Sequence, residues 1–125
     1  MSTLKYKDSV SKLLELFPEF KDTDGYEMIK DELYLAYIVF TPFMDYIVNI
    51  LENDGENNQI ILRFVNFVNE TLNDPEIDPD TKDLFQIEFF EKLTLPESRV
   101  QFAKKNFTGK ALEQFNLVND WRPKK

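Results

Sequence analysis

The sequence predicts one all-α domain that spans residues 1–125 and contains six or seven short helices. Apolar side chains recur three and four residues apart over most of the chain, which is the period of a helix with one buried face. Prolines and capping residues divide these stretches, and the connections between them are short. Such helices can close into an orthogonal bundle or stack in a short solenoid-like array, and no internal repeat decides between the two.

The first two predicted helices occupy the N-terminal third of the chain. Ser2 is placed to cap the first helix, which ends before Pro18 because a residue that precedes proline avoids helical geometry. Asp24 is followed three residues later by an acid, the spacing of a capping box, and it opens a second helix that continues through Tyr37. The apolar run of residues 35–40 is too continuous for its period to distinguish a buried helix from a strand.

The middle of the chain predicts two helices separated by a turn. Thr41 is a predicted cap, with Pro42 at the first helical position, where its missing N–H does no harm. Residues 54–58 contain Asp, Gly and Asn and predict the turn. The clearest amphipathic stripe in the chain follows it, formed by Ile60, Ile61, Phe64, Val65, Val68 and Leu72.

The last third predicts three further helices. Asp78 and Pro79 supply a cap and a first-turn proline, and the helix that they open is apolar on almost every face, which predicts a central position. Pro96 opens a short helix, and Thr108 is the predicted cap of the last one. We expect Trp121 to pack this last helix onto the core, with a role as a contact anchor for a partner as the alternative.

The composition argues against most kinds of catalysis. The chain has no histidine and no cysteine, so the commonest general base, thiol nucleophiles and the usual zinc ligands are missing. We therefore predict no enzyme activity, no catalytic residue and no cofactor. Residues 33–51 are the most apolar stretch, but Asp45 and Pro42 within them favour buried core over a membrane span. The N-terminus lacks the apolar core of a signal peptide, which predicts a cytoplasmic protein.

Acidic and basic residues are concentrated in different parts of the chain. Residues 22–56 hold nine acids and one lysine, residues 70–91 hold eight acids and one lysine, and residues 99–125 hold seven basic residues and two acids. The net charge of −8 argues against nucleic acid and anionic membranes as ligands and favours a basic protein partner. Tyr26, Tyr34 or Tyr46 is the expected aromatic anchor. The predicted partner-binding residues are Asp24, Glu27, Asp31, Tyr34, Asp45, Asp54, Glu56, Asp74, Glu76 and Asp80.

Two groups of acids resemble metal sites without completing one. Residues 74–80 space three acids like the first ligands of a calcium-binding EF-hand loop. Pro79 stands where that loop needs glycine, and Phe85 stands where it needs a bidentate glutamate, so we predict a capped turn. Glu88 and Glu91 lie one helical turn apart, but no histidine accompanies them as in di-iron bundles. We predict that they mark the solvent edge of their helix, and we predict no metal site.

Five segments resemble, in their order, a family of small, uncharacterised, acidic α-helical bacterial proteins. They are residues 13–20, 35–43, 61–72, 84–91 and 115–121, and most of their shared positions are apolar or lie in turns. The resemblance implies the fold more than an activity. It also implies that some members are immunity proteins encoded beside secreted or contact-delivered toxins.

Three classes of function remain open. The leading hypothesis is a protein-binding domain, specifically an immunity protein whose acidic surface neutralises a bacterial toxin, since toxins that attack nucleic acids need basic surfaces. The alternatives are a structural or self-associating domain and an enzyme that uses carboxylates with a magnesium-type ion. The oligomeric state is not predicted.

Overall fold

The structure is a computed structural model that describes residues 3–121. Within this range it contains seven α-helices and no strand. Residues 35–40, which the sequence left open between helix and strand, are helical from Ala36 onward. The helices are α1 (Ser9–Leu16), α2 (Asp24–Ile29), α3 (Ala36–Asp54), α4 (Gln59–Leu72), α5 (Pro79–Phe85), α6 (Glu97–Asn106) and α7 (Gly109–Trp121).

Shorter helical turns join several of these helices. A π-helical turn over Gln86–Phe90 follows α5 without a break, so the chain from Pro79 continues as one helical segment that widens partway along. In this turn the backbone N–H of Glu91 donates to the carbonyl oxygen of Gln86, five residues earlier. The 3-10 turns are Tyr6–Asp8, Pro18–Asp22, Lys30–Glu32 and Glu91–Leu93.

The helices close into one bundle. Helix α3 contacts α1, α2, α4 and the π-helical turn, while α7 contacts α4, α6 and the same turn. The N-terminal 3-10 turn contacts α5, which is far away in sequence. In a solenoid each repeat would contact only its neighbours along the chain. These long-range contacts therefore decide for a closed bundle over the solenoid-like array.

The core is made largely of phenylalanine. All 12 phenylalanines of the chain are buried, and their rings form one connected network of edge, tilted and stacked contacts. Phe89 lies at its centre, with ring centroids 5.1 Å from Phe40, 5.1 Å from Phe64 and 4.8 Å from Phe85. Because Phe89 belongs to the π-helical turn, the predicted central position of this segment is confirmed.

Several local predictions are confirmed. The chain leaves α1 at Phe17, before Pro18. Helix α3 ends at Asp54, and the next residue, Gly55, has a φ of 88°, a value that favours glycine. The Asp78 side chain accepts from the N–H of Asp80 at the start of α5, and Pro96 directly precedes α6.

The predicted helix start at Thr41 and Pro42 is wrong. Helix α3 already begins at Ala36, and Pro42 lies inside it. The Thr41 hydroxyl caps no helix start, and its oxygen lies 3.0 Å from the carbonyl oxygen of Tyr37 in the preceding turn of the same helix. Proline inside a helix costs about 3 kcal/mol. The buried face of α3 includes residues before and after Pro42, from Val39 to Val48. The free energy gained by burying this face is larger than the cost of the proline.

The predicted boundaries of the first two helices also differ from the structure. Ser2 lies outside the described residues, and α1 begins only at Ser9. Thr23, and not Asp24, caps α2, because its side-chain oxygen accepts from the N–H of Tyr26. Helix α2 ends at Ile29 instead of continuing through Tyr37.

Two asparagine side chains bind the start of α7: Asn69 lies in α4, and Asn73 directly follows α4. The side-chain oxygen of Asn69 accepts from the N–H of Thr108 (2.9 Å), and that of Asn73 accepts from the N–H of Lys110 (2.7 Å). The side-chain amide of Asn73 also donates to the carbonyl oxygen of Thr108. These partners come from α4 across the bundle, so local spacing could not reveal them, although it correctly places the start of α7 directly after Thr108. At the other end of α7, Trp121 is 78% exposed, so the expectation that it packs on the core is wrong.

We predict that Gly109→Ala is destabilising by about 2 kcal/mol, because the new methyl group meets strain and a clash. Gly109 has a φ of 54°, and a Cβ atom there would overlap the side-chain oxygen of Asn73. Thermal and urea unfolding of the single and double variants measure the effect. In an Asn73→Ala background the clash is gone, so Gly109→Ala should cost clearly less. Equal losses in the free energy of unfolding in the two backgrounds would contradict a clash between the new methyl group and the Asn73 side chain.

Candidate functional site

A cleft of about 320 Å³ lies where the N-terminal segment, α3 and the helical segment from α5 through the π-helical turn meet. It combines exposed apolar side chains with carboxylates, and no basic residue among those that the structure describes lines it. We call it the aromatic–acidic cleft. Its lining residues are Tyr6, Tyr37, Asp80, Asp83, Leu84, Ile87 and Glu88.

The apolar part of the cleft is unusually open to solvent. Tyr6 is 38% exposed, Tyr37 is 53% exposed and Ile87 is 54% exposed. Single exposed apolar residues are normal on protein surfaces, but several that line one concavity are typical of a contact site. The twelve phenylalanines, in contrast, are all buried. The aromatic side chains that the described surface exposes are Tyr6, Tyr34, Tyr37 and Trp121, and two of these four line the cleft.

The charged part of the cleft is uniformly negative. Asp80, Asp83 and Glu88 lie on its walls. Glu88 accepts a hydrogen bond of 2.6 Å from the Thr41 hydroxyl, which fixes its carboxylate at the edge of α3. Within residues 3–121, none of these three acids forms an ion pair. Their charge is thus available to a ligand from outside.

Ile87 and Glu88 reach the cleft because each lies four residues after another lining residue of the same helical segment. The wider turn directs Phe89 and Phe90 together into the core, where both are fully buried. Ile87 and Glu88, which precede them, are left on the outer side. Single π turns within helices are frequent at functional sites, and here the turn separates a buried pair from a cleft-lining pair.

The wall that contains Tyr6 is held by the acidic loop before α5. The backbone N–H of Tyr6 donates to the Asp78 carboxylate, 2.8 Å away. The Thr81 hydroxyl donates to the carbonyl oxygen of Leu4, and the Thr3 hydroxyl donates to Asp74. The bond from Tyr6 is the main reason that the pKa of Asp78 is lowered from its ordinary value of 3.8. The same hydrogen bonds position one aromatic wall of the cleft.

We predict that acid releases this N-terminal segment. Because folding lowers the pKa of Asp78, its contribution to stability is complete above 3.8 and is lost as the pH falls through the lower folded value. The amide shift of Tyr6, followed by NMR from neutral pH downward, should therefore change with a midpoint below 3.8. In Asp78→Asn this transition should disappear. A midpoint at or above 3.8 in the unmodified protein would contradict the prediction.

A larger cavity of about 550 Å³ lies between the N-terminal segment, α1 and α4. Its rim mixes both signs of charge, so it does not select a ligand of one sign. Its most prominent cation, Arg63, is already engaged by Glu19 (2.6 Å) and by the carbonyl oxygen of Leu16 (2.7 Å). The charged residues on its rim are Lys5, Asp8, Lys12, Glu15, Arg63, Glu70 and Asp74. For these reasons we take the smaller, uniformly negative cleft as the candidate site.

The structure distributes the residues predicted to bind a partner over three regions. One group lies on α2 and the turns that follow it, a second on α3 and the turn after it, and a third around the start of α5. Of the ten, only Asp80 lines the aromatic–acidic cleft. In chain order the three groups are Asp24, Glu27, Asp31 and Tyr34; Asp45, Asp54 and Glu56; and Asp74, Glu76 and Asp80.

Part of the acidic middle is neutralised by the basic C-terminal third. Lys92 pairs with Asp45 at 3.2 Å, and Lys105 pairs with Glu56 at 3.1 Å. Arg99 pairs with Glu52 in the same manner. These ion pairs join α3, or the turn that follows it, to the chain around α6. Asp45 and Glu56 are therefore engaged within the molecule, which the sequence-based selection did not anticipate.

The three tyrosines proposed as anchors differ in their surroundings. Tyr26 and Tyr46 are partly buried, and both rings lie 5.7 Å from Phe20. Burial raises the pKa of Tyr46 above its ordinary value. Tyr34 is 80% exposed and lies just before α3, outside the cleft lining. Tyr37 lines the cleft and is not among the aromatic anchors predicted from the sequence.

Neither a metal cluster nor a membrane-spanning helix occurs in the part of the chain that the structure describes. No three acids there converge in a geometry that could hold a metal ion, and this includes the acids of the cleft. None of the helices between residues 3 and 121 combines the length and apolarity needed to cross a bilayer.

Comparison with known proteins places the chain in a family but gives no activity. No curated protein and no solved structure matches the chain. A family model described as a domain of unknown function, DUF7674, matches residues 10–115. This range includes all seven helices in whole or in part, and every cleft residue except Tyr6. The chain therefore belongs to the DUF7674 family.

Proposed function

We propose that this chain is a protein-binding domain that receives a basic segment of a partner protein in the aromatic–acidic cleft. One observation carries the proposal: three carboxylates with no ion pair among residues 3–121 surround exposed aromatic and aliphatic side chains in one concavity. Lysine and arginine side chains combine an apolar stem with a charged end, so they match both parts of such a cleft.

The net charge supports a protein over other macromolecules as the partner. A charge of −8 repels the phosphates of nucleic acids and the headgroups of anionic membranes. It attracts a basic protein surface over long range and increases the rate of encounter. In this proposal the wider acidic surface guides the partner, and the cleft provides the close contacts.

The specific partner that we propose is a bacterial toxin with a basic surface, against which this domain acts as a cytoplasmic immunity protein. A toxin that cleaves or binds nucleic acid needs a basic surface, and an acidic cleft placed on that surface would block it. The test is co-expression with the product of the neighbouring gene in a sensitive host. Protection that is lost when the cleft acids are neutralised would support this role, and unprotected cells would contradict it.

Affinity capture from the native host tests the broader proposal. The bait is compared with a cleft variant that carries Asp80→Asn, Asp83→Asn and Glu88→Gln. Each new side chain keeps the size of the old one, and the amide oxygen introduced by Glu88→Gln can still accept from the Thr41 hydroxyl. We expect the bait to retain a basic protein that the cleft variant fails to retain.

A matched control removes the same number of acids elsewhere, through Asp24→Asn, Glu27→Gln and Asp31→Asn on α2 and the turn after it. This control should retain the partner. Loss of the partner by the control variant, with full retention by the cleft variant, would contradict the assignment of the cleft and favour the surface around α2.

A further inference from the structure

The N-terminal segment, residues 3–8, separates two concavities of the bundle. Its Tyr6 lines the aromatic–acidic cleft, whereas Leu4 and Lys5 line the larger cavity of about 550 Å³. Open space therefore lies on both sides of the segment, and none of its residues is buried. Leu4 packs partly against the core, and Tyr6 does not. The position of Tyr6 therefore depends mainly on hydrogen bonds.

These hydrogen bonds converge on the start of α5. The carboxylate of Asp78 accepts from the backbone N–H of Tyr6 through one oxygen (2.8 Å) and from that of Asp80 through the other (3.3 Å). Asp80 itself lines the cleft, and Asp78 does not. One carboxylate outside the cleft therefore fixes an aromatic wall of the cleft relative to an acidic wall.

Two buried hydroxyl groups complete the attachment. Thr81 is fully buried, and its oxygen lies 3.1 Å from the carbonyl oxygen of Leu4 and 3.2 Å from the Asp78 carboxylate. Ser9 is also fully buried, and its hydroxyl donates to the carbonyl oxygen of Tyr6, 2.7 Å away. A buried hydroxyl that loses its acceptor costs free energy, so both side chains favour the attached position of the segment.

We propose that Asp78 and Thr81 are positioning residues for partner binding, which act by holding Tyr6 as a wall of the cleft. This role rests on the proposed function of the cleft and adds a control to it, because affinity then depends on the attachment of the N-terminal segment. When the segment detaches, the cleft loses Tyr6 and keeps only Tyr37 as an aromatic wall. Coupling of this kind is reciprocal, so a bound partner strengthens the attachment.

Hydrogen exchange of the Tyr6 amide measures the attachment without a partner. The detaching variant carries Asp78→Asn and Thr81→Val. Asparagine can still cap α5 through its oxygen, but it places a donor group opposite the N–H of Tyr6, and valine lacks the hydroxyl. We expect exchange of the Tyr6 amide to become about tenfold faster or more, with the amides of α4 unchanged.

Two single variants accompany the detaching variant. Thr81→Ser keeps the hydroxyl and should leave exchange of the Tyr6 amide slow. Thr81→Val alone should accelerate it by about fivefold, the effect of one hydrogen bond. This single variant carries the test if the detaching variant exchanges faster in α4 as well, which would indicate general unfolding.

The effect on binding is measured by isothermal titration calorimetry with the basic protein that affinity capture retains. Tyr6→Ala and the detaching variant should each weaken its binding by about tenfold. Their combination should bring no further loss, because both changes remove the same wall.

The matched control carries Asp120→Asn and Thr94→Val, the same two chemical changes outside the cleft lining. Asp120 is exposed on α7. Thr94 is buried, and its hydroxyl donates to the carbonyl oxygen of Glu91 within one turn. This variant should bind the captured protein as tightly as the unmodified chain does, and its Tyr6 amide should exchange equally slowly.

Several results would overturn the positioning role. Affinity losses from Tyr6→Ala and from the detaching variant that add together would show that Asp78 and Thr81 do not act through Tyr6. Unchanged affinity in both variants, unchanged exchange of the Tyr6 amide, or a bound partner that leaves this exchange unchanged would overturn it too. Failure of the proposed function gives a different result, since the variant with Asp80→Asn, Asp83→Asn and Glu88→Gln would then bind as tightly as the unmodified protein.

Discussion

Phe89→Ala is expected to be destabilising by about 3–5 kcal/mol, the largest stability effect of any single substitution considered for this domain. Phe89 is fully buried, and its ring contacts those of Phe40, Phe43, Phe64 and Phe85. Replacement by alanine removes contacts to all four rings and leaves a cavity that the surrounding rings fill only partly. Domains of this size have a total stability of about 5–15 kcal/mol, so the substitution removes a large part of it.

Urea and thermal unfolding measure this effect, with Ile87→Ala as the matched control. Ile87 lies two residues earlier in the same π-helical turn but is 54% exposed in the cleft. Its replacement should therefore change the free energy of unfolding by less than about 1 kcal/mol. Similar costs at the two positions would show that the turn does not separate a core side from a cleft side. That result would remove a main structural reason for the cleft.

Tyr37→Ala is expected to reduce affinity for the captured partner by about 30-fold, which corresponds to about 2 kcal/mol. Tyr37 lines the cleft and is half exposed, so a partner's side chain can pack against its ring at little conformational cost. The fold should change little, because the ring is not part of the buried core. Isothermal titration calorimetry with the captured partner gives both the affinity and the enthalpy.

Tyr34→Ala is the comparison that makes this prediction specific. Tyr34 is 80% exposed and lies three residues before Tyr37, but it does not line the cleft. Its replacement should change affinity by less than about threefold, as expected for a residue outside the centre of an interface. A larger loss of affinity from Tyr34→Ala than from Tyr37→Ala would contradict the assignment of the cleft as the binding site. It would instead favour Tyr34, which the sequence predicts as an anchor.

The fold was predictable where its signals are local. The stripe from Ile60 to Leu72 has the period of a helix, and it forms α4. The cap and proline at Asp78 and Pro79 depend only on adjacent residues, and they start α5 as predicted. The prediction of a helix start at Pro42 is wrong because the local preference of proline for that position competes with the burial of a long apolar face, and only the tertiary structure shows which effect is larger.

The candidate site was much less predictable, because it is formed by segments that are distant in sequence. Tyr6, Tyr37 and Ile87 come from three elements, and nothing in their spacing indicates that they meet. The helix predicted around Ile87 is apolar on almost every face, so its pattern does not mark Ile87 as exposed. The change to π-helical geometry, which brings Phe89 and Phe90 together into the core, leaves no recognisable local signal.

The charge pattern predicted a property of the surface without predicting its use. The acidic middle and the basic end are real features of the sequence, and the structure joins them through pairs such as Arg99 with Glu52. The number of acidic residues in a segment does not tell which of them are free to contact a partner. The structure distinguishes acids engaged within the molecule, such as Glu56, from acids that line the cleft, such as Asp83.

The salt dependence of partner binding tests the central claim most directly. The affinity of the unmodified protein for the captured partner is measured by isothermal titration calorimetry. It should fall by about tenfold or more as the sodium chloride concentration rises from about 50 mM to about 500 mM, because salt screens the carboxylates that attract the partner. The variant with Asp80→Asn, Asp83→Asn and Glu88→Gln should bind weakly, and its affinity should respond much less to salt. An affinity of the unmodified protein that is independent of salt, or equal to that of the variant, would contradict the account.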